Sequence, residues 1–550
     1  MKLLRFTWAF ILGFSSFYTY AQKIKRSDKH TYEQLKAHVQ FLADDQLEGR
    51  RAGSKGESVA SDYISRQFAT LGAQPKGTEG WLQPFEINDG KQINPTSYLI
   101  INSHELKLNT DFFPLNISAN KSVSAMVSMA LAENNVPWFL DLKDILTENK
   151  ENPHFDLPEA VRIHAAKVAS KGASALILYN TSEIVDGLKF SAKDKTEPCT
   201  IPVLYVNASA RQQFLKDAEA NLDMQLKVDI GDKKRTGHNV IGYIDNGAPH
   251  TIILGAHFDH LGYGEDGNSM MRTGEKLIHN GADDNASGTA AMIEIGRLVK
   301  KDKHPYSNFL LIAFSAEELG LNGSKYFTDH PTIDLSTVNY MINMDMVGRL
   351  NDSTKVLTVG GFGTSPTWSQ VFGKIKPNKQ LLLKYDSSGT GPSDHTSFYR
   401  KDIPVLFLFT GLHGDYHRPS DDADKINYYG QLQIVKLIQQ VIQSTCCNGK
   451  LSFQKTRETQ TTTSARFTVS MGIMPDYTYP GTGVHVDGVS EGRAAFKAGI
   501  LKDDVIVQLG SHMTSSVEAY MQALSKFKKG DKTTVKYKRA GVLKEVEIQF

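Results

Sequence analysis

Histidine and carboxylate side chains follow four short apolar runs in this sequence of 550 residues. Each run has the length and composition of a buried strand. The runs and the residues after them are 251–255 with His257 and Asp259, 309–314 with Glu317 and Glu318, 338–344 with Asp345, and 404–409 with His417. A glycine-flanked acidic loop, 281–288, contains Asp284 and opens a helical pattern. Sites in open α/β sheets form beyond the carboxyl ends of strands, so these residues can converge although the chain separates them.

Two imidazoles and three carboxylates are a suitable donor set for two divalent metal ions that share one carboxylate. The mixed nitrogen and oxygen donors favour zinc, with manganese or cobalt as alternatives. Such a pair activates a water, and a carboxylate that is not a ligand serves as general base. The adjacent Glu317 and Glu318 offer one residue for each role, and Asp259 is placed to accept the second N–H of His257. Each motif alone is often an ordinary loop or helix start; their conjunction carries the prediction.

The surrounding pattern predicts an α/β fold. From residue 239, short apolar strands alternate with helical patterns over 286–300 and 432–443, which indicates a parallel or mixed sheet. Residues 31–71 have a largely helical pattern around a turn-rich segment, 47–54. Between about 100 and 235, short strands at 125–127, 175–179 and 201–206 flank a helical stretch over 160–171.

Composition excludes several classes of protein. Lysine and arginine total 62 against 60 aspartate and glutamate, a balance too even to suggest a nucleic-acid binder. Three cysteines cannot build a disulfide framework or a cysteine-rich zinc module, so metal ligands must be mostly His, Asp and Glu. The length corresponds to about three or four domains.

The first 21 residues predict a signal peptide. Lys2 and Arg5 precede an apolar stretch, 6–20, and Ala21 is a small residue at a suitable cleavage position. The alternative is an uncleaved anchor, but the run is short for a hydrocarbon core of about 30 Å. We therefore expect export to the periplasm or the medium, and no membrane span after cleavage.

Several motifs together resemble the co-catalytic zinc exopeptidase family of bacterial leucyl aminopeptidases and glutamate carboxypeptidases. They are His257-x-Asp259, the loop 281–288, Ala316-Glu317-Glu318-Leu319-Gly320, Asn343-Met344-Asp345-Met346, His417-Arg418-Pro419-Ser420-Asp421-Asp422, Leu47-Glu48-Gly49-Arg50 and Ala52-Gly53-Ser54. The resemblance covers about residues 30 to 447. It implies a zinc exopeptidase fold over 22–99 and 236–447, with a mixed, largely parallel sheet and flanking helices.

The resemblance also implies a role for each site residue. Asp284 would bridge two zinc ions, His257 and Asp345 would complete one zinc site, and Glu318 and His417 would complete the other. Glu317 matches the general base that takes a proton from the metal-bridging water and returns one to the departing amine. Ser393-Asp394-His395 resembles a family segment near the site.

Two further domains are expected from resemblance. Residues 100–235 resemble a β-rich protease-associated insert, on Lys171-Gly172-Ala173-Ser174 and Ile201-Pro202-Val203-Leu204, which would restrict the active site or act as a spacer. After a linker, 448–466, residues 467–550 resemble a PDZ domain on 488–495, 498–500 and 503–506. Met471, Gly472 and Ile473 would form its peptide-binding loop and strand, with 517–527 as the groove helix, and peptide carboxyl termini as ligands. The alternative is a structural cap.

We therefore expect an exported dizinc aminopeptidase that acts on peptides. One alternative is a carboxypeptidase of the glutamate carboxypeptidase type, which needs cationic residues around the substrate carboxylate; the sequence alone does not reveal them. Glutaminyl cyclisation uses one zinc on this fold, whereas all five ligand positions are filled here. A catalytically inert peptide-binding protein is the third alternative, and the intact Glu317 argues against it.

Overall fold

The computed structural model describes residues 24–152, 155–192, 194, 196–271, 273, 275–302, 304–375, 378–446, 448–456, 469–475, 482–489, 492–515 and 517–550. The chain divides into two compact units, of which unit 1 is Met1–Gln83 with His238–Gln460 and unit 2 is Pro84–Gly237 with Thr461–Phe550. The predicted signal peptide lies outside the described residues. Among those residues, no helix has both the length and the apolar character needed to cross a membrane.

The amino-terminal region contains two helices and two strands, namely α1 (Lys29–Leu42), α2 (Lys55–Thr70), β1 (Gln74–Pro75) and β2 (Leu82–Ile93). A short 3-10 helix, Asp45–Arg50, lies between the helices, as the turn-rich sequence predicts. Helix α2 is capped by Ser54, whose Oγ accepts from Glu57 N at 3.3 Å, and the Glu57 carboxylate accepts from the N–H of the preceding Gly53 at 3.0 Å.

The described residues of the insert in unit 2 form eight strands and three helices: β3 (Tyr98–Ile101), β4 (His104–Glu105), β5 (Phe112–Pro114), β6 (Ser122–Ser128), β7 (Pro137–Asp141), α3 (Lys143–Glu148), α4 (Leu157–Ser170), β8 (Ala175–Tyr179), β9 (Val203–Val206), α5 (Ala208–Phe214) and β10 (Asn221–Lys227). The strands form two four-stranded sheets, in the orders β4-β3-β10-β6 and β5-β9-β8-β7. The apolar strands predicted at 125–127, 175–179 and 201–206 lie in these sheets.

The main sheet of unit 1 is built from the region after the insert. Its elements are β11 (Ile230–Ile244), β12 (Thr251–His257), α6 (Gly288–Lys301), β13 (Asn308–Phe314), α7 (Asn322–Asp329), β14 (Val338–Met344), β15 (Val356–Gly360), α8 (Thr367–Lys374), β16 (Leu382–Tyr385), α9 (His395–Tyr399), β17 (Val405–Phe409) and α10 (Tyr428–Thr445). The strand order is β1-β11-β13-β12-β14-β17-β15-β16, with β2 also paired to β11.

The centre of this sheet is parallel. Strand β12 pairs in parallel with β13 and β14, and β14 pairs in parallel with β17, whereas β11 and β15 join antiparallel. Every residue of β12, β13, β14 and β17 is buried, which explains why these strands are continuous apolar runs in the sequence. The predicted α/β class with a mixed, largely parallel sheet is confirmed.

The carboxyl-terminal region forms a separate small sheet. Its elements are β18 (Ile473–Pro475), β19 (Val484–Val489), α11 (Ala494–Lys497), β20 (Val505–Leu509), β21 (His512–Met513), α12 (Val517–Leu524), β22 (Lys532–Arg539) and β23 (Val542–Gln549). The order is β18-β19-β20-β22-β23, with β21 paired to β20, so that β18 is an edge strand among the described residues.

The division into units falls at different residues from the predicted domain borders. The structure separates the units after residues 83, 237 and 460, whereas the sequence pattern suggests borders near 99, 235 and 447. Part of the predicted linker packs within unit 1: Leu451 is buried, its N–H donates to Asn339 Oδ1 at 2.8 Å, and Thr456 N donates to Tyr399 Oη at 3.0 Å. The polar composition of 448–466 does not indicate that Leu451 and Thr456 make these contacts.

Candidate active site

The central parallel strands bring the predicted site residues to one edge of the sheet. His257 ends β12, Asp345 follows β14, and the glutamate pair and His417 lie in the loops after β13 and β17. Parallel neighbouring strands end at the same edge, so side chains far apart in sequence become neighbours. Asp284 reaches this edge from the segment that precedes α6.

Five of these residues outline two metal positions around Asp284. In the first, His257 Nε2 lies 3.4 Å from Asp284 Oδ1 and 3.3 Å from Asp345 Oδ1. In the second, His417 Nε2 lies 3.3 Å from Asp284 Oδ2 and 3.2 Å from Glu318 Oε2. Donors about 2.0–2.1 Å from a tetrahedral zinc lie roughly 3.3 Å from one another. The spacing therefore fits zinc at both positions, with each oxygen of Asp284 facing one of them.

The imidazoles of His257 and His417 are oriented by main-chain carbonyls. His257 Nδ1 lies 3.2 Å from the carbonyl oxygen of Asp259, and His417 Nδ1 lies 2.9 Å from that of Asn268. The predicted partner of His257, the Asp259 carboxylate, lies farther away at 3.7 Å. Its Oδ1 instead accepts the backbone N–H of Glu317 at 3.1 Å. Asp259 therefore holds the loop that carries the predicted base, as well as lying beside the histidine.

The acidic loop is held from both ends. Gly281 has φ +55°, and a Cβ there would lie 2.1 Å from the Asp284 carbonyl oxygen, so glycine is required. The buried carboxylate of Asp421 accepts the N–H groups of Asp283 and Asp284 at 3.0 and 3.1 Å. Asn285 Nδ2 donates to Met344 O at 2.9 Å, which ties the loop to the end of β14. The position of Asp284 between the two donor sets thus depends on Asp421 and on the end of β14.

The two adjacent glutamates have opposite electrostatic environments. Burial, assisted by the charge of Asp394, raises the pKa of Glu317 well above its ordinary value. Burial also opposes ionisation of Glu318, but the imidazoles of His417 and His260 outweigh it and hold the pKa of Glu318 well below its ordinary value. A low pKa suits a permanently ionised metal ligand, and a raised pKa suits a group that accepts and returns a proton near neutral pH.

A buried arginine, Arg50, contacts two of the segments that carry site residues. The Arg50 side chain is fully buried, and its guanidinium donates to the carbonyl oxygens of Phe258 at 2.7 Å, Asn280 at 2.7 Å, Gly281 at 3.0 Å and Leu42. Burial lowers the pKa of Arg50 to about 10. These contacts connect the segment after His257 to the start of the acidic loop. The Leu47-Glu48-Gly49-Arg50 motif was its sequence signal.

Other neighbours of the site were also not assigned from the sequence. His260 is buried beside Glu318, with 2.8 Å between Nδ1 and Glu318 Oε1. Its only sequence signal is its position directly after the His257-x-Asp259 motif. In the Ser393-Asp394-His395 segment, Ser393 Oγ accepts from Asn343 Nδ2 at 2.8 Å. Burial raises the pKa of Asp394 to about 7.

An apolar cluster contains the sequence neighbours of two site residues. Met346, Phe407 and Phe409 are buried together, and the partly buried Leu412 and Tyr416 pack against them. Met346 follows Asp345, and Tyr416 precedes His417. The rings of Tyr416 and His417 stack with 3.9 Å between their centroids, so the cluster contacts the second donor set through Tyr416.

The predicted PDZ residues lie at the start of the small sheet. Met471 is buried in the core of this domain, Gly472 has φ +79°, and Ile473 begins the edge strand β18. A Cβ at Gly472 would lie 2.2 Å from the Cβ of Arg493, so the turn before the strand requires glycine. Strand β18 pairs with β19 on one side only among the described residues, which suits β-augmentation.

Parts of this chain match two protein families and are similar in sequence to several known proteins. Peptidase family M28 matches residues 239–442, and the PDZ domain matches residues 452–550. Leupeptin-inactivating enzyme 1 of Streptomyces exfoliatus is 30% identical over 34% of this chain and 39% of its own. Aminopeptidase YwaD of Bacillus subtilis is 26% identical over 48% of this chain and 55% of its own. A probable leucine aminopeptidase 2 of Aspergillus oryzae is 24% identical over 68% and 75%. The chain thus spans about half or less of the length of the first and second of these relatives.

Two solved structures have a similar chain course. An aminopeptidase from Aneurinibacillus sp. strain AM-1 is 23% identical, with a TM-score of 0.41 over 78% of this chain and 96% of its own. A zinc aminopeptidase from Bacillus subtilis is 19% identical, with a TM-score of 0.42 over 78% of this chain and 96% of its own. On the family matches, residues 239–442 of this chain belong to peptidase family M28 and residues 452–550 to the PDZ domains.

Proposed function

We propose that this chain is an exported dizinc aminopeptidase that removes amino-terminal residues from peptides. The observation that carries the proposal is the pair of donor sets, His257 with Asp345 and His417 with Glu318, on the two oxygens of Asp284. The names of the relatives, which include aminopeptidases from Bacillus subtilis and Aspergillus oryzae, favour an amino-terminal specificity.

Two zinc ions, when bound, would supply positive charge that lowers the pKa of the attacking water and stabilises the scissile carbonyl oxygen. The carboxylate of Glu317 would accept a proton from that water and return it to the nitrogen of the departing peptide. Its backbone N–H, held by Asp259 at 3.1 Å, keeps the base in register with the ligands. His257 and His417 are held with Nε2 towards the metal positions by contacts at Nδ1.

The apolar cluster of Met346, Phe407, Phe409, Leu412 and Tyr416 supports a preference for apolar amino-terminal residues. We expect leucyl and phenylalanyl substrates to have a higher kcat/KM than aspartyl or lysyl ones. Each buried CH₂ contributes about 0.8 kcal/mol. An extended apolar amino-terminal side chain should therefore raise kcat/KM at least roughly tenfold over a small one.

The test combines metal analysis with turnover. The purified protein is expected to contain two zinc ions per chain, to hydrolyse leucyl anilide, and to lose activity on chelation with recovery on zinc addition. Acetylation of the substrate amine should abolish turnover. Continued cleavage of blocked peptides from the carboxyl end would favour the carboxypeptidase alternative, and absence of both metal and activity after zinc addition would refute the proposal.

Export is the part of the proposal that rests on the first 21 residues. Lys2, Arg5, the apolar stretch and Ala21 support cleavage before Gln22. Amino-terminal sequencing of protein from the native host should give Gln22 as the first residue. A chain that retains Met1 in the cytoplasm would contradict export.

We also propose that the PDZ domain binds peptide carboxyl termini along β18. Calorimetry on the full chain, with amino-acetylated hexapeptides ending in leucine, valine or phenylalanine, should detect binding. Amidation of the carboxyl terminus should weaken it at least about tenfold, because a charge-assisted hydrogen bond is lost. The Gly472→Val variant should also bind the free-carboxylate peptides more weakly. Equal affinity for free and amidated peptides, or no binding, would leave the domain a structural cap.

A further inference from the structure

Two imidazoles, not one, lie at the second metal position. His260 and His417 have ring centroids 5.8 Å apart, and both face Glu318 and Asp284. By proximity alone, His260, Asp284 and Glu318 could hold a metal ion. The question is whether His260 is a ligand or acts on the metal through another residue.

Donor spacing separates the two imidazoles. His417 Nε2 lies 3.3 Å from Asp284 Oδ2 and 3.2 Å from Glu318 Oε2, close to the edge of a zinc tetrahedron. His260 Nδ1 lies 2.8 Å from Glu318 Oε1 and 3.9 Å from Asp284 Oδ2. The shorter distance is that of a charge-assisted hydrogen bond, and the longer exceeds a tetrahedral edge.

The second nitrogen of each ring also distinguishes His417 from His260. His417 Nδ1 is bonded to a main-chain carbonyl, as ligand histidines usually are. His260 Nε2 is buried and has no hydrogen-bond partner among the described residues. A buried N–H without an acceptor is costly, so the proton of a neutral His260 belongs on Nδ1. That nitrogen is then a donor to Glu318 and cannot be a metal donor.

The space around His260 is fixed by its neighbours. A Cβ on Gly281 would lie 2.5 Å from the His260 ring, so the start of the acidic loop packs directly on the imidazole. Only 2% of His260 is exposed. The ring therefore has little freedom to turn away from Glu318.

The geometry points to His260 as a positioning residue for the second metal, an inference that rests on the proposed function. Its Nδ1–H donates to Glu318 Oε1, which leaves Oε2 directed at the position shared with His417 and Asp284. Carboxylate ligands of metals are commonly held by such outer hydrogen bonds, and their loss typically weakens metal binding 10–100-fold. His260 thus sets the affinity of one metal position without being a ligand.

The test measures metal affinity at each position. Metal-free wild type, His260→Phe and His260→Asn are titrated with Zn²⁺, and the Co²⁺ forms are compared by visible absorption. We expect His260→Phe to weaken one position about 10–100-fold and leave the other unchanged. His260→Asn, whose amide N–H can replace Nδ1–H, should recover most of the affinity. The Co²⁺ spectrum of His260→Asn should match that of wild type, because no ligand is lost.

A double-mutant cycle with Glu318→Gln identifies the position affected. The His260→Phe effect should largely disappear in that background, because both changes act through one carboxylate. The control is His304→Phe. His304 is another buried histidine; it precedes β13 and packs on Phe309 of that strand, so its replacement should change neither affinity.

Three outcomes would overturn the inference. Unchanged affinities in a folded His260→Phe protein would remove the positioning role. Equal losses in the Asn and Phe variants, with an altered Co²⁺ spectrum, would make His260 a ligand. Wild type that binds no metal would refute the proposed function itself, a result distinct from the other two.

Discussion

Replacement of Glu317 by glutamine is expected to lower kcat about 10²- to 10⁴-fold while both metals stay bound. The change removes the carboxylate that exchanges a proton with the attacking water but preserves the size of the side chain. The structure separates this residue from the metal positions: the donor distances involve Glu318, and the pKa of Glu317 is raised rather than lowered. KM should change much less than kcat, because the base acts in the transition state.

The matched control is the neighbouring residue. Glu318→Gln should weaken metal binding at one position, so its loss of activity should be partly recovered at high Zn²⁺ concentration. Glu317→Gln should show no such recovery. Metal content by mass spectrometry and steady-state kinetics on leucyl anilide make the comparison. Undiminished hydrolysis by Glu317→Gln would mean that another group is the base.

Replacement of Arg50 by methionine is expected to destabilise unit 1 by about 3–5 kcal/mol. The guanidinium is fully buried and donates to four main-chain carbonyls, each of which would lose a charged donor. Two of these carbonyls, of Phe258 and Gly281, lie in segments that carry His257 and Asp284. We therefore expect lower metal affinity in addition to lower stability.

Calorimetric unfolding would measure this effect. The transition of unit 1 should fall by roughly 5–10 °C in Arg50→Met. Arg50→Lys should be intermediate, because an ammonium keeps the charge but cannot reach all four carbonyls. The control is Arg51→Met at the next position, which breaks a partly exposed ion pair with Asp266 and should cost on the order of 1 kcal/mol. Equal shifts for Arg50→Met and Arg51→Met would contradict the assigned role of Arg50.

Much of the fold of unit 1 was predictable from local pattern. The apolar runs at 251–255, 309–314 and 338–344 are buried central strands, and the patterns at 286–300 and 432–443 are the helices α6 and α10. These elements are simple to predict because a strand covered on both faces must be apolar throughout. The division between the two units has no such signal, because the long strands β2 and β11 contain no change of composition at residues 83 and 237.

The site, like the fold, was predictable from the sequence only in part. The metal-type residues stand at strand ends, and their convergence follows from parallel pairing, so His257, Asp284, Glu318, Asp345 and His417 could be predicted together. The carboxylate of Asp259 was predicted to orient His257, whereas its shorter contact is with the backbone of Glu317. Such a choice depends on differences of less than 1 Å, which sequence spacing does not encode.

The sequence by itself determined the reactive residues, the α/β class and the peptidase and PDZ resemblances, because these depend on residue types, periodicity and motifs along one chain. Only the tertiary structure decided which buried groups hold those residues in place. Arg50, His260, Asn268 and Asp421 act through contacts across long sequence separations. A buried polar group must find a partner wherever the fold supplies one, and that partner is defined by packing in three dimensions rather than by position in the chain.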